Sequence, residues 1–140
     1  FKTNAAQLLA KALRAGQRIY CSPLVDPYQP AEETARLMPA ILDALIESPP
    51  RVFTIQTRGP LIARDLERLV KLARNTRLRV GFSLTTNRES VRALFEPHCA
   101  TLEERLRSMR ELRAAGIAVF ATLAPLLPCA PEVLAGIALR

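Results

Sequence analysis

The chain has 140 residues, enough for one domain with a single hydrophobic core, and its 20 Lys and Arg against 13 Asp and Glu give a net charge of +7. Three widely spaced cysteines and one histidine exclude a readable disulfide framework and a zinc site built by the protein alone. The longest apolar stretch, residues 117–127, is too short to span a bilayer and no signal peptide is visible, so we expect a cytoplasmic protein without a membrane partner.

The first part of the chain predicts helix, strand and helix. Apolar residues recur at helical spacing over residues 4–14, and Gly16 ends that helix. A short strand follows at residues 18–22, and a proline-rich loop comes after it. The next helix, over residues 31–46, contains Pro39, which we expect to kink it or split it in two.

The remaining elements continue the alternation of strands and helices. The run VFTIQT predicts a strand at residues 52–57, and a second strand is predicted at residues 79–85. Thr101 and Glu104 have the spacing of a capping box at the start of the best-marked helix. The other predicted elements are helices at residues 59–74, 89–94 and 101–115, a strand at residues 117–124 and a last helix from Pro131.

Strands that alternate with helices predict an α/β fold with a parallel sheet. We expect four parallel strands in sequential order, with the helices on one outer face. The sheet is either an open doubly wound sheet or an incomplete barrel. Both architectures bind ligands at the carboxyl ends of the strands, so residues at those ends are the first candidates for a site.

Polar side chains collect at the predicted carboxyl ends of the strands. They form a ligand site in one interpretation. In the other, the threonines only finish their strands and Asp26 makes an Asx-turn ahead of Pro27. The residues concerned are Cys21, Ser22, Asp26, Thr57, Arg58, Ser83, Thr85 and Thr86.

Glu96 lies directly before a proline, between a short helix and a strong one. Arg105 lies at the margin of the apolar stripe of its helix, so it can fold back toward Glu96. Two interpretations stay open for this pair. It is either a structural ion pair that ties the loop down or a pair that contacts a ligand.

Several other chemistries are not indicated by the sequence. The five glycines form no phosphate-binding loop, and His98 has no neighbouring nucleophile with which to form a hydrolytic triad. Two acidic pairs, Glu32–Glu33 and Glu103–Glu104, lie in first helical turns, where they are expected to complement the helix dipole.

Six stretches of the chain form an ordered set: TNAAQLLAKAL, SPLVDPYQPAEE, IQTRGPLIARDLERL, VGFSLTTNRESVRALFEP, TLEERLRSMRELRAAGI and VFATLAPLLP. In order and spacing they resemble the radical SAM proteins similar to spore photoproduct lyase, often labelled DNA repair photolyases. The resemblance covers nearly the whole chain. It implies a partial (β/α)6 barrel, a 4Fe-4S cluster and reductive cleavage of S-adenosylmethionine (SAM) to a 5′-deoxyadenosyl radical, for repair or modification of nucleic acid.

The chain departs from that family at the iron–sulfur cluster. The family holds its cluster with a CxxxCxxC motif on the loop after the first barrel strand, and that loop would precede Phe1. Cys21, Cys99 and Cys129 do not have the spacing to replace the motif, since a cluster needs converging thiolates. We therefore interpret residues 1–140 as a single domain, the middle part of a radical SAM core. We expect it to retain neither a cluster nor SAM, to hold no other metal and to be inactive on its own.

The resemblance also implies roles for individual residues. Arg58 and Ser83 would meet the amino-acid end of SAM. Asp26 would face the cofactor pocket, and Glu96 with Arg105 would shape its ribose side. Cysteine at the end of the first strand is a candidate for the hydrogen donor of the lyase, and a buried structural thiol is the alternative. The candidate residues are Asp26, Arg58, Ser83, Glu96 and Arg105 for the cofactor and Cys21 for catalysis.

A second function is compatible with the same sequence. Arginine accounts for 17 of the 20 cations, and it is suited to bidentate capture of phosphate. A non-catalytic basic α/β domain that binds nucleic acid or protein is therefore the alternative to the enzyme. The sheet edge at residues 18–22 would also permit self-association, because an unpaired strand edge recruits other strands.

Overall fold

The computed structural model of the protein describes residues 3–21 and 24–139. Within these ranges no helix is long and apolar enough to cross a membrane. The helices are α1 (Ala5–Ala12), α2 (Glu32–Ala35), α3 (Leu37–Glu47), α4 (Leu66–Ala73), α5 (Glu89–Phe95), α6 (Leu102–Ala114) and α7 (Pro131–Ala138). The strands are β1 (Arg18–Cys21), β2 (Val52–Thr57), β3 (Arg77–Ser83) and β4 (Ala118–Thr122), and a 3₁₀ helix (Pro60–Asp65) leads directly into α4.

The four strands form one parallel sheet in the order β1-β2-β3-β4. Each strand therefore neighbours the next one in the chain, and each connection passes through helical segments. This arrangement confirms the α/β class and the sequential parallel strands that the sequence predicts. The predicted end of the first strand, Ser22, lies outside the described residues.

One face of the sheet is buried beneath the helices. Phe53, Ile55, Val80 and Phe82 alternate along β2 and β3 and are almost completely buried. Burying a side chain of this size contributes about 1.5–3 kcal/mol, so these positions fix which face each strand turns inward. The helical residues that complete this core include Leu42, Leu45, Leu69, Leu72, Met109 and Leu112.

The opposite face, which we call the open face, carries the alternate side chains of the same strands. Its exposed positions lie toward the amino ends of the strands, and Gly81 and Ser83 on it are buried. Phe120 lies across Gly81, where a Cβ atom would collide with the ring, so a larger residue here would have to displace the ring of Phe120. The open face comprises Arg18, Tyr20, Val52, Thr54, Gln56, Arg77, Arg79, Gly81, Ser83, Ala118, Phe120 and Thr122.

The helix predicted over residues 31–46 is split in two, as expected, into α2 and α3. The expected break at Pro39 is wrong, because the chain turns at Arg36, whose φ is 47°, and Pro39 lies in the first turn of α3, where its missing N–H is not needed. The carboxylate of Glu32 accepts hydrogen bonds from the backbone N–H groups of Leu37 (3.0 Å) and Met38 (2.9 Å). Glu32 therefore caps the following helix instead of only complementing the dipole of its own.

Helix α6 begins as the sequence predicts. The hydroxyl of Thr101 accepts a hydrogen bond from the backbone N–H of Glu104 (3.3 Å), and the Glu104 carboxylate accepts one from the backbone N–H of Thr101 (2.8 Å). This reciprocal capping box satisfies two backbone donors that a helix start otherwise leaves free. It fixes the start of the helix that carries Arg105 toward the end of β3.

Candidate functional site

A cavity of about 340 Å³ lies at the carboxyl end of the sheet, where the open face meets the loops that follow the strands. Its volume falls within the range of small-molecule sites, roughly 300–1,000 Å³. Its position is the one where parallel α/β sheets bind ligands. The polar lining residues are Tyr20, Asp26, Gln56, Thr57, Arg58, Ser83 and Thr122, and the apolar ones are Leu24, Val25, Ala124 and Pro125.

Asp26 joins the loop after β1 to the end of β2. Its Oδ1 accepts hydrogen bonds from the backbone N–H of Tyr28 (2.9 Å) and the hydroxyl of Thr57 (2.6 Å), and its Oδ2 accepts one from the backbone N–H of Arg58 (2.7 Å). The bond to Tyr28 is the Asx-turn that the sequence allowed for. Asp26 lines the cavity, but its two oxygens are already engaged by the protein. Its contribution here is to fix the backbone from which Arg58 projects.

Gly59 allows the two loops to approach closely. A Cβ atom at this position would collide with the backbone carbonyl oxygen of Tyr28. The backbone N–H of Gly59 donates to the Thr57 hydroxyl (2.8 Å), which itself donates to Asp26. The Thr57 hydroxyl at the end of β2 is thus hydrogen-bonded to both Asp26 and Gly59, directly next to Arg58 in the chain.

A buried ionic network lies behind the loop after β1. One guanidinium nitrogen of Arg64, Nη2, lies 2.9 Å from Oε1 of Glu32 and 2.8 Å from Oδ2 of Asp65. The hydroxyl of Tyr28 donates to the same Asp65 oxygen (3.3 Å), and burial followed by the charge of Asp65 raises the pKa of Tyr28. Asp65 is therefore satisfied by these neighbours and makes no ion pair with Arg58.

Arg58 is the least satisfied cation at the cavity. Its Nε lies 3.2 Å from Oε1 of Glu96, but the N–H is not aligned for a hydrogen bond. No described residue accepts a hydrogen bond from its side chain, which is 34% exposed and lines the cavity. The outer nitrogens of the guanidinium are therefore free to bind an anion that enters the cavity.

The predicted ion pair between Glu96 and Arg105 is present. Arg105 is only 2% exposed, and its three nitrogens donate to the carbonyl of Ala100 (2.9 Å), the carbonyl of Ser83 (2.8 Å) and Oε2 of Glu96 (2.7 Å). Burial raises the pKa of Glu96, but the hydrogen bond and charge of Arg105, with the charge of Arg58, outweigh it and lower that pKa. Arg105 thus ties the loop before α6 to the end of β3 and holds Glu96 beside Arg58.

Ser83 belongs to a row of hydrogen-bonded side chains across the open face. The Gln56 side-chain amide donates to the Ser83 hydroxyl (3.1 Å), and the Gln56 carbonyl oxygen accepts from the hydroxyl of Tyr20. Ser83 keeps its own proton to donate toward the cavity. The sequence reasoning missed Gln56 and Tyr20, although the alternation along β1 and β2 would have placed both on the same face as Ser83.

Cys21 does not line this cavity. It follows Ile19 on the face of β1 that packs against the core, and burial followed by the charge of Asp26 raises its pKa to about 11. A thiol with this pKa stays protonated and is a poor nucleophile near neutral pH. This environment is that of a structural thiol, and a role for Cys21 as hydrogen donor stays a prediction.

Within residues 3–21 and 24–139, no group of three or more His, Cys, Asp or Glu side chains is placed to hold a metal ion. The three cysteines are free and half-buried. The described residues therefore do not supply the ligands of an iron–sulfur cluster.

A second, wider cavity of about 510 Å³ adjoins the first at Asp26 and Arg58. It lies among the loop after β1, the turn at Gly59 and the loop before α6. His98 and Cys99, which the sequence could not place, both line it. Arg58 thus stands between two cavities, one lined mainly by strand ends and the other by loops.

No protein-family model matches the chain, and no solved structure matches it. The chain is 33% identical over 131 residues to "Uncharacterized protein Rv2578c" of Mycobacterium tuberculosis and, at the same identity, to "Uncharacterized protein Mb2609c" of Mycobacterium bovis. These matches cover 91% of the chain and 38% of each relative. The chain therefore spans well under half the length of the curated relatives it matches.

Proposed function

We propose that residues 1–140 are part of a radical SAM core. We further propose that the cavity at the carboxyl end of the sheet binds the amino-acid end of S-adenosylmethionine. The observation that carries this proposal is Arg58, which lines the cavity and whose side chain donates no hydrogen bond to a described residue. A guanidinium presents a planar pair of donors that suits a carboxylate, and the neighbouring Ser83 hydroxyl offers a further donor.

The surrounding residues fit this role in charge and in hydrogen bonding. Arg58 would bind the carboxylate, while Asp26 fixes its backbone and Glu96 limits the positions of its side chain. Ser83 would donate to the same anion from a hydroxyl that Gln56 already orients. Direct contact of Glu96 or Arg105 with the ribose stays a prediction.

We further propose that the four-stranded sheet is part of a (β/α)6 barrel in a longer enzyme of the lyase-like group. In such enzymes, SAM bound to a 4Fe-4S cluster supplies the 5′-deoxyadenosyl radical. Because the described residues hold no set of metal ligands, we assign no step of that chemistry to them. We propose that they bind and orient the cofactor, and we expect the isolated chain to be inactive.

Calorimetric titration of SAM into the wild-type and Arg58→Ala forms of the longer, full-length enzyme tests the proposal. A hydrogen bond to a charged group contributes about 1.5–3 kcal/mol, so we expect the variant to bind roughly 10- to 100-fold more weakly. Arg107→Ala, on the exposed surface of α6, removes the same charge far from the cavity and is expected to leave the affinity unchanged. An Arg58→Ala affinity equal to wild type would remove Arg58 from the site.

The second candidate, a non-catalytic basic domain that binds nucleic acid, is favoured by a separate observation on the open face of the sheet. The two candidate functions differ in their need for iron. The full-length enzyme needs an iron–sulfur cluster, and the binding domain does not. They use different arginines, Arg58 at the carboxyl end of the sheet and Arg18, Arg77 and Arg79 toward its amino end, so each can be tested by its own variants.

A further inference from the structure

The amino-terminal half of the open face carries three exposed arginines and no acidic side chain. Arg18 and Arg77 lie in one row, since both pair with Val52, and Arg79 lies in the next row. With roughly 4.8 Å between neighbouring strands, the Cα atoms of Arg18 and Arg77 are about 10 Å apart. None of the three forms an ion pair with another described residue. This half of the face is therefore a cluster of uncompensated positive charge.

Phe120 holds one of these arginines in place. The guanidinium carbon of Arg79 lies 5.0 Å from the centroid of the Phe120 ring, and that ring lies across Gly81. A cation–π contact restricts the guanidinium but uses none of its N–H groups. Arg79 is thus positioned and keeps its hydrogen-bond donors for an anion.

Tyr20 adds an aromatic ring to the same part of the face. It shares a row with Thr54 and Arg79, and its side chain is 51% exposed. Its hydroxyl is fixed by the hydrogen bond to Gln56, so the ring is held in place while part of it stays accessible. Fixed, exposed aromatic rings among cations are the feature with which β-sheet proteins bind the bases and phosphates of single-stranded nucleic acid.

We infer that the open face binds single-stranded nucleic acid, with phosphates at Arg18, Arg77 and Arg79 and a base stacked on Tyr20. A single strand is favoured over a duplex because the faces of paired bases are covered by their neighbours in the stack. An acidic polypeptide would match the charges, but it would offer the Tyr20 ring no planar partner. This surface belongs to the second candidate function, because closing the sheet into a barrel would turn the open face inward. It shares Tyr20 with the proposed cofactor cavity, but its arginines do not line that cavity.

The charge contribution is tested by fluorescence anisotropy with a labelled oligothymidylate of about twenty nucleotides, long enough for an extended site. Arg77→Ala/Arg79→Ala is expected to weaken binding and to flatten the plot of log affinity against log salt by about 1.4, or roughly 0.7 for each lost phosphate contact. Arg107→Ala/Arg110→Ala, exposed on α6, changes the net charge equally and is expected to keep both affinity and slope. Equal losses in the two double variants would overturn the proposed surface.

The stacking contribution has its own variants and its own signal. Tyr20→Ala is expected to weaken oligothymidylate binding at least about fivefold, whereas Tyr20→Phe keeps the ring and most of the affinity. The chain has two tyrosines and no tryptophan, and Tyr28 is buried, so quenching of tyrosine emission on binding reports Tyr20.

Two comparisons decide between this ligand and its competitors. Polyglutamate that binds as tightly as the oligonucleotide, without quenching tyrosine emission, would assign the face to an acidic polypeptide. A duplex that binds more tightly than the single strand would contradict the stacking on Tyr20. Arg58→Ala is expected to retain oligonucleotide binding, so failure of the cofactor site and failure of this surface are distinguishable.

Discussion

Arg58 and Arg105 both lie near the end of β3, yet the protein uses them in opposite ways. Arg105 is buried, and its side chain donates hydrogen bonds to Ala100, Ser83 and Glu96. Arg58 donates only its backbone N–H to a described residue. A buried cation with these partners is a structural link, and a half-exposed cation with free donors is a binding group. The same residue type thus takes either role according to its neighbours, which sequence alone does not reveal.

Glu96 predicts a specific dependence of stability on pH. Its pKa is lowered in the folded protein, so its carboxylate stabilises the fold above the unfolded value of 4.5, and that contribution is lost as the pH falls through the folded pKa. We expect Glu96→Gln to lower the free energy of unfolding by about 1–3 kcal/mol at neutral pH. The difference from wild type should shrink at acidic pH below 4.5, as the pH falls through the lowered pKa of Glu96 in the folded protein and the carboxylate is protonated.

Urea unfolding at the two pH values measures this difference. Glu103→Gln is the matched control, because Glu103 is exposed on α6 and should change the unfolding free energy little at either pH. An equal loss of stability from Glu96→Gln at both pH values would show that the charge of Glu96 does not contribute.

At the scale of elements, Asp26 joins the loop after β1 to the end of β2. Asp26→Ala removes acceptors for Tyr28, Thr57 and Arg58, and we expect it to lower the free energy of unfolding by about 2–4 kcal/mol. Asp43→Ala removes an exposed carboxylate that pairs with Arg68 and should cost much less. Urea midpoints at constant slope measure both variants, and equal losses would contradict the linking role of Asp26.

The strands and the strongest helix were predictable from the sequence because their signals are local. The alternation in VFTIQT and the capping box at Thr101 act over a few residues, and the structure shows both. A split of the helix over residues 31–46 was predictable, but its position at Arg36 was not. It depends on Glu32, which caps a helix five residues later and pairs with Arg64, 32 residues away in the chain.

The location of the candidate site was predictable from the sequence, but the contacts of its side chains were only partly predictable. Strand ends located Asp26, Arg58 and Ser83 at one edge of the sheet, since parallel strands end together. The alignment of Arg58 with Glu96, and the hydrogen bonds that link Ser83 to Gln56, depend on side-chain packing between different loops and strands. Such contacts leave no periodic signal in the sequence.

At the scale of the whole molecule, the sheet has two distinct ends and one open face. The amino-terminal end carries uncompensated arginines, and the carboxyl end carries a polar cavity with Arg58, whose side chain pairs with Glu96 and donates no hydrogen bond. Strands β1 and β4 are the edges of the described sheet, so the predicted self-association through the first strand stays a prediction. Parallel sheets are normally covered on both faces, so this open face is the part of the fold on which a ligand or further protein is expected to lie.

The central claim is that SAM binds at the carboxyl end of this sheet in the longer enzyme, and amide chemical shifts of the isotopically labelled full-length protein during a titration with SAM test it most directly. We expect saturable shifts at the backbone amides of Gln56, Arg58, Ser83 and Thr122, with no shifts at Arg18 or Arg77 at the opposite end. The Arg58→Ala protein should require roughly 10- to 100-fold more SAM for the same shifts. Saturable shifts confined to the amino-terminal end, or none at any concentration, would contradict the account.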